Sequence, residues 1–143
     1  MASGAPSDGL VTVLSPESVS LAPGGKAQAR VSVTVADGFH IQANPASDDF
    51  LIPLRLQLRS KGGVRATIPV YPPGVPYVIE GMPGELNTYE GSFEVVVHLH
   101  AGDSAKPGER TLNGVLRYQA CDERSCRFPS SVPVSVPVLI VDS

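Results

Sequence analysis

Apolar and polar residues alternate with a period of two over long stretches of this chain. In residues 26–37, "KAQARVSVTVAD", one parity is apolar: Ala27, Ala29, Val31, Val33 and Val35. The same alternation recurs in residues 53–60, 92–101 and 111–120. Because successive side chains of a β-strand point to opposite faces, this pattern predicts strands with one buried face. No window has an apolar period of 3.6 residues with helix caps, so we expect almost no helix.

Clusters rich in glycine and proline separate the predicted strands. They read "LAPGGK", "RSKGG", "VYPPGVPY", "EGMPGE" and "HAGDSAKPGE", and such residues favour tight turns. Seven or more short strands without crossover helices predict an all-β fold, namely an immunoglobulin-like antiparallel β-sandwich, with a closed barrel as the alternative. The length of 143 residues suits one domain, which we place at residues 1–143 with a flexible N-terminal segment at 1–8.

The final predicted strand, "SVPVSVPVLIV", carries two prolines on the parity opposite to its valines. Pro133 and Pro137 lack an N–H donor, and their equal parity removes donors from the same side of the strand. Within sheets, proline is largely confined to edge strands. We therefore predict that this strand closes a sheet and that its proline side faces solvent.

The distribution of charge argues against two classes of function. Lys and Arg number 11 against 14 Asp and Glu, the net charge is −3, and the basic residues are scattered singly. Such a chain is not expected to bind nucleic acid. No apolar run approaches the ~20 residues needed to cross a bilayer, so we expect no membrane contact by this segment itself. Residues 1–9 lack the pattern of a signal peptide, and we expect a signal peptide to be absent from the sequence as it stands.

The two cysteines of the chain lie in "CDERSC", at positions 121 and 126. One predicted strand ends just before Cys121 and another begins after Cys126, which predicts a four-residue hairpin loop over residues 122–125. Cysteines facing each other across the base of such a loop, with Cβ atoms ~4.5 to 5.5 Å apart, approach disulfide geometry. The spacing leaves open whether the bridge is a structural staple, worth roughly 2 kcal/mol for so short a loop, or a redox-active pair.

The charges beside the two cysteines differ. Arg124 and Arg127 flank Cys126, whereas Asp122 and Glu123 follow Cys121. Positive neighbours stabilise a thiolate and negative neighbours destabilise it. On charge alone, Cys126 is predicted to be the better nucleophile.

Histidines raise the alternative of a metal site. His98 and His100 share one face of a predicted strand and His40 lies on another, but these spacings match no zinc motif. Met82, in the turn "GMPG", is either a soft ligand or a packing residue. We expect no cofactor and no resident metal. A metallochaperone that binds Zn or Cu through free thiols stays open as a third possibility.

Residues 116–129, "LRYQACDERSCRFP", resemble the N-terminal periplasmic domain of the bacterial thiol:disulfide interchange protein DsbD. The segments "DGFHIQANPASDDFLIPLRLQL" and "YPPGVPY" through "TYEGSFEV" are similar to the same family, in the same order. The resemblance runs from about Val31 to Val138. It implies an immunoglobulin-like fold, a periplasmic location and thiol–disulfide exchange.

The resemblance also implies a mechanism and partners. Reducing equivalents would pass from a membrane-embedded or thioredoxin-like donor domain of a DsbD-like membrane protein, through Cys121 and Cys126, to periplasmic thioredoxin-like proteins of the disulfide isomerase or cytochrome c maturation type. Cys126 takes the role of attacking the partner disulfide, and Cys121 the role of resolving the mixed disulfide. The alternative is a non-enzymatic immunoglobulin-like binding or adhesion domain with a structural disulfide.

A cap loop holds an aromatic side chain over the cysteines in this family. By resemblance that loop is "NTYEGS", with Tyr89 as the aromatic and Glu90 beside it. The alternative is a tyrosine that is simply packed before the following strand. Phe128 is the aromatic that follows the second cysteine. The acidic pair of the family is replaced here by Asn87 and Thr88.

Two further residues are expected to line the site by resemblance. His40 and Gln42 stand where the family has strand-facing tyrosines, and equal parity places them on one face. An imidazole at position 40 can exchange protons with Cys126 or stabilise its thiolate. The alternative is a strand histidine bonded to a backbone carbonyl.

Overall fold

The chain forms twelve strands in a computed structural model that describes residues 9–82 and 84–142. The predicted flexible segment, residues 1–8, lies outside the described residues. The strands are β1 (Val11–Leu14), β2 (Val19–Leu21), β3 (Lys26–Val35), β4 (His40–Gln42), β5 (Arg55–Leu58), β6 (Val64–Ala66), β7 (Val75–Tyr77), β8 (Leu86–Tyr89), β9 (Ser92–Ala101), β10 (Gly108–Tyr118), β11 (Ala120–Cys121) and β12 (Ser130–Ile140). The described residues contain no helix, and hence none long and apolar enough to span a membrane.

Two four-stranded sheets form the body of the fold. One has the order β1-β3-β9-β6 and the other β2-β12-β10-β5. The alternating residues of β3 turn inward as predicted, and Val31, Val33 and Val35 are at most 2% exposed. They pack against inward residues of β9, β10 and β12 in one core. The predicted all-β, immunoglobulin-like sandwich is confirmed.

The prediction for the final strand is only partly right. Strand β12 pairs with β10 along its whole length, so that Pro133 and Pro137 lie opposite Val115 and Thr111. Its other side is not a free edge throughout, because the short strand β2 pairs with it in parallel from Val138 to Ile140. This pairing begins just after Pro137, the second of the two residues of the strand that lack an N–H donor. The parallel pair is a departure from the otherwise antiparallel sheets.

A third sheet lies at one end of the sandwich, with the order β11-β4-β8-β7. Its strands continue those of the body, since β4 follows β3, β8 leads into β9, and β11 follows β10. The turn between β8 and β9 passes through Gly91, whose φ of 63° suits glycine because it has no Cβ. This small sheet brings the hairpin with both cysteines next to residues 40–42.

Candidate functional site

Cys121 and Cys126 form a disulfide bond, with an S–S distance of 2.04 Å and Cα atoms 3.9 Å apart. The two residues face each other as an antiparallel bridge. Hydrogen bonds flank the bridge on both sides: the Asp122 N–H donates to Ser125 O at 2.9 Å and the Arg127 N–H donates to Ala120 O at 2.8 Å. Positions between such bonds carry the closest side chains of an antiparallel ladder. The predicted hairpin loop over residues 122–125 is confirmed.

The Asp122 side chain organises this loop. Its Oδ1 accepts hydrogen bonds from the backbone N–H groups of Arg124, at 2.8 Å, and Ser125, at 2.9 Å. These bonds favour the charged carboxylate and lower the pKa of Asp122, and the nearby Arg127 and Arg124 guanidinium groups lower it further. The loop between the cysteines is thus held by a carboxylate that stays ionised.

The two sulfur-bearing residues differ in exposure. Cys121 is fully buried, whereas Cys126 is only half-buried. Arg124 and Arg127, on either side of Cys126, are both exposed. The Cys126 side of the bridge is therefore the more exposed one, and both the arginines and the carboxylates of Asp122 and Glu123 lie near it.

Gln42 contacts the buried cysteine directly. Its Nε2 donates a hydrogen bond to Cys121 Sγ at 3.2 Å, and the residue is 0% exposed. The Gln42 backbone N–H donates to Gln119 O at 3.0 Å. The side-chain Oε1 is buried and has no hydrogen-bond partner.

His40 lies directly across the strand pair from Cys121. Its ring stacks on Tyr77, with centroids 3.6 Å apart and planes 15° from parallel. Its Nε2 lies 3.4 Å from Oε1 of Glu90, and its Nδ1 is buried without a hydrogen-bond partner. Because His40 and Gln42 are two residues apart on one strand, they share the face on which Cys121 lies.

Tyr89 occupies a different place from the cap position expected by resemblance. It is the last residue of strand β8 and belongs to the main core, where its ring lies 4.5 Å from that of Phe93. Its hydroxyl donates to Pro72 O at 2.8 Å and accepts from the Asn44 N–H at 3.2 Å. Burial raises the pKa of Tyr89, and the Asn44 bond offsets only part of that rise. Residues 87–89 of the segment expected to be a loop belong to strand β8, and Tyr89 packs in the core at its end.

The remaining expected site residues lie at the surface. The Glu90 side chain is 61% exposed beside His40, and Phe128 is 94% exposed two residues after Cys126. The structure thus brings His40, Gln42 and Glu90 together at the cysteines. It leaves Phe128 projecting from the same hairpin.

A small hydrophobic cluster surrounds the disulfide, and apart from the two cysteines its members were not identified from the sequence as site residues. This disulfide cluster has buried and partly buried members: Ala46, Leu51, Tyr77, Ile79, Met82, Leu86, Cys121 and Cys126. A backbone hydrogen bond from Glu80 N–H to Glu123 O, at 3.2 Å, joins the turn before Met82 to the cysteine loop. The sequence signals for these residues were "VPY" within the family-like segment and Met82 in the turn "GMPG", which was interpreted as either a soft ligand or a packing residue.

The other histidines lie in the body of the fold, on strand β9, which pairs with β3 and β6. His100 lines a groove of about 610 Å³ with Lys61, Arg65 and Asp103. Desolvation and the nearby Arg65 and Lys26 lower the pKa of His100. Within residues 9–82 and 84–142, no three His, Cys, Asp or Glu side chains are grouped as metal ligands would be.

Comparison with known proteins agrees with this arrangement. A family model described as "Thiol:disulfide interchange protein DsbD, N-terminal" matches residues 11–136. Among solved structures, the chain is similar to the N-terminal periplasmic domain of ScsB from Proteus mirabilis, with a TM-score of 0.59 and 15% identity over 87% of this chain and 43% of that one. It spans less than half of that structure. An ASH/PapD-like domain of human CEP192 has a TM-score of 0.41 and 9% identity, covering 94% of this chain and 87% of the other. No curated protein matches the chain.

Proposed function

Because the chain belongs to the family of N-terminal domains of the thiol:disulfide interchange protein DsbD, we propose that it relays reducing equivalents to periplasmic partner proteins. The family and the disulfide support thiol–disulfide exchange in general. The finer proposal is that a thioredoxin-like or membrane-embedded donor reduces the Cys121–Cys126 pair, which then reduces a thioredoxin-like acceptor. The whole chain would act as one periplasmic redox module.

The observation that carries the proposal is the unequal exposure of the two cysteines. A donor thiolate attacks the half-buried Cys126 Sγ, the S–S bond breaks, and the electron pair leaves on Cys121 Sγ. A second donor thiolate then releases Cys126 as a thiolate, leaving the donor oxidised to a disulfide. This order follows from access and from the arginines beside Cys126, since attack depends on which sulfur is reached.

Transfer to the acceptor reverses these roles. The Cys126 thiolate attacks the acceptor disulfide, forming a mixed disulfide and releasing one acceptor thiolate. Cys121, as a thiolate, then attacks Cys126 Sγ, re-forms the intramolecular bridge and releases the second acceptor thiolate. The 3.9 Å between the two Cα atoms keeps Cys121 within reach of the mixed disulfide.

We assign the covering of the pair to Tyr77 and Met82 instead of Tyr89. Both pack in the disulfide cluster, and Tyr77 also lies flat on His40. The turn that carries Met82 is joined to the cysteine loop by the bond from Glu80 to Glu123. A docking partner would displace this turn, so that the pair is shielded from small thiols and opened by partner proteins.

Exposed apolar residues around the hairpin support a protein partner. Phe128 is 94% exposed, Phe50 65% and Val78 62%. Each is within two residues of a member of the disulfide cluster: Cys126, Leu51 and Tyr77, respectively. Exposed aromatic residues beside a reactive centre are typical of a docking surface.

A trapping experiment tests the proposal. Cys121→Ser leaves Cys126 able to attack but removes the resolving thiol, so a mixed disulfide with a thioredoxin-like protein should accumulate. Cys126→Ser is the matched control and should form none. If neither variant forms a mixed disulfide, or if both form it equally, the assignment of roles fails. A chain whose bridge never exchanges would then be the immunoglobulin-like binding domain with a structural disulfide.

A further inference from the structure

The side chain of Gln42 has one polar atom that is hydrogen-bonded to the disulfide and one that has no hydrogen-bond partner. Nε2 donates to Cys121 Sγ at 3.2 Å, while Oε1 is buried without a partner. Buried polar atoms are nearly always hydrogen-bonded, because leaving one without a bond is costly. Gln42 is 0% exposed. In the oxidised state it therefore carries the energetic cost of a buried oxygen without a hydrogen bond.

Reduction changes what the Cys121 sulfur offers to this amide. A disulfide sulfur can only accept a hydrogen bond, and weakly. A thiolate is a charged and much better acceptor for Nε2–H, and a thiol S–H can donate to Oε1 after the amide rotates. Either protonation state of reduced Cys121 thus makes a better bond with Gln42 than the disulfide does.

We propose that Gln42 is a positioning residue that raises the redox potential of the pair by stabilising reduced Cys121. When a donor dithiol attacks Cys126, the electron pair of the breaking S–S bond moves onto Cys121 Sγ, the atom that Nε2 faces. Stabilising the reduced form makes a disulfide easier to reduce. This inference rests on the proposed function and deepens it, because Gln42 would favour acceptance of electrons from the donor.

A merely structural Gln42 would support both redox states alike. The backbone N–H of Gln42 bonds to Gln119 O whatever the side chain is, so a substitution of similar volume keeps the strand pairing. The neighbouring Thr88, opposite Gln42 in the sheet, is also fully buried but donates to Val75 O instead of a cysteine. Thr88→Val therefore serves as a control for removing a buried polar group from the same sheet.

The test is the equilibrium of each variant with dithiothreitol at pH 7. Gln42→Met should shift the equilibrium toward the disulfide by roughly tenfold, which lowers the potential by about 30 mV. Thr88→Val should stay within about twofold of the unsubstituted chain, a shift below about 10 mV. A Gln42→Met potential equal to or higher than that of the unsubstituted chain would overturn the inference.

A measurement on the unsubstituted chain covers the case in which Gln42→Met does not fold. The side-chain NH₂ resonances of Gln42 should move, and exchange more slowly with solvent, when the disulfide is reduced. Identical resonances in the two states would overturn the inference. A failure of this inference can be distinguished from a failure of the proposed function, because the potential is measured against a small dithiol and needs no partner protein. A chain that shows the shift but forms no mixed disulfide with a thioredoxin-like protein would contradict only the proposed function.

Discussion

The imidazole of His40 lies flat on the ring of Tyr77, with centroids 3.6 Å apart and planes 15° from parallel. His40 in turn lies opposite the buried Cys121. Tyr77 also packs in the disulfide cluster with Cys126 and Met82. This stack brings an aromatic ring of strand β7 to the site; the strand lies in the family-like segment "YPPGVPY", in which no residue was assigned to the site.

Removal of this cover should speed reduction by a small thiol. We expect Tyr77→Ala and Met82→Ala each to raise the rate of reduction by dithiothreitol severalfold, because attack on Cys126 then needs less local opening. The rate is measured by rapid alkylation of the freed thiols followed by mass spectrometry. Val75→Ala, at an exposed position of the same strand β7 that lies outside the disulfide cluster, is the control and should leave the rate unchanged. Equal rates of reduction for all three variants would show that Tyr77 and Met82 do not cover the cysteine pair.

Tyr89→Phe separates a core residue from a cap residue. The substitution leaves Pro72 O and the Asn44 N–H without the tyrosine hydroxyl that now bonds them. Both bonds are only part-buried, so the free energy of unfolding in urea titrations should fall by about 1 kcal/mol, the lower end of the cost of an unsatisfied buried group. The rate of reduction by dithiothreitol should not change. A faster reduction at unchanged stability would restore Tyr89 to the cap.

Asp122 should make the stability of the cysteine loop depend on pH. Its pKa is lowered in the folded chain by the N–H groups of Arg124 and Ser125. A lowered pKa gives stability that is complete above the unfolded value, about 3.9, and that is lost as the pH falls through the folded value. Asp122→Ala should therefore shift the equilibrium with dithiothreitol at pH 7 toward the reduced pair, by less than about tenfold.

Asp122→Ala also tests the direction of this pH dependence. The difference in thermal stability between the oxidised unsubstituted chain and oxidised Asp122→Ala should shrink as the pH is lowered from 5 to about 2, because the carboxyl becomes protonated in both states. Thermal unfolding at each pH measures this difference. A difference that grows on acidification would show that the carboxylate does not stabilise the loop.

Phe128 should matter for partners and not for small thiols. It is 94% exposed beside Cys126, and truncating a central aromatic of an interface commonly costs at least about 1.4 kcal/mol, or tenfold in affinity. Phe128→Ser should slow mixed-disulfide formation with a thioredoxin-like partner by roughly this factor. Its reduction by dithiothreitol should be unchanged. If mixed-disulfide formation and reduction by dithiothreitol both became slower, the substitution would have disturbed the hairpin itself and not the docking surface.

Alternation in the sequence predicted the faces of the strands better than their partners. The inward parity of Val31, Val33 and Val35 followed directly from the period of two, and the hairpin at the cysteines followed from the ends of the two predicted strands beside it. The parallel pairing of β2 with β12 did not, because a three-residue strand has too little pattern to reveal its neighbour. Periodicity reports which side of a strand is buried, and says little about which strand lies beside it.

The site was predictable to the extent that it is local in sequence. Cys121, Cys126 and their charged neighbours lie within one hairpin, and parity placed His40 and Gln42 on a common face. Met82 packs in the same cluster as the cysteines although it lies about forty residues away in the sequence, and a local pattern cannot reveal packing between such distant segments. Tyr89 could not be distinguished from a cap residue because a tyrosine at a strand end fits either environment.

The redox potential of the Cys121–Cys126 pair, measured in glutathione and dithiothreitol buffers with the fold monitored by circular dichroism, tests the central claim most directly. A relay module should have a potential near that of thioredoxin, about −270 mV, or above it, and should stay folded when reduced. A potential below about −300 mV, or unfolding on reduction, would contradict the account and make the bridge a structural staple.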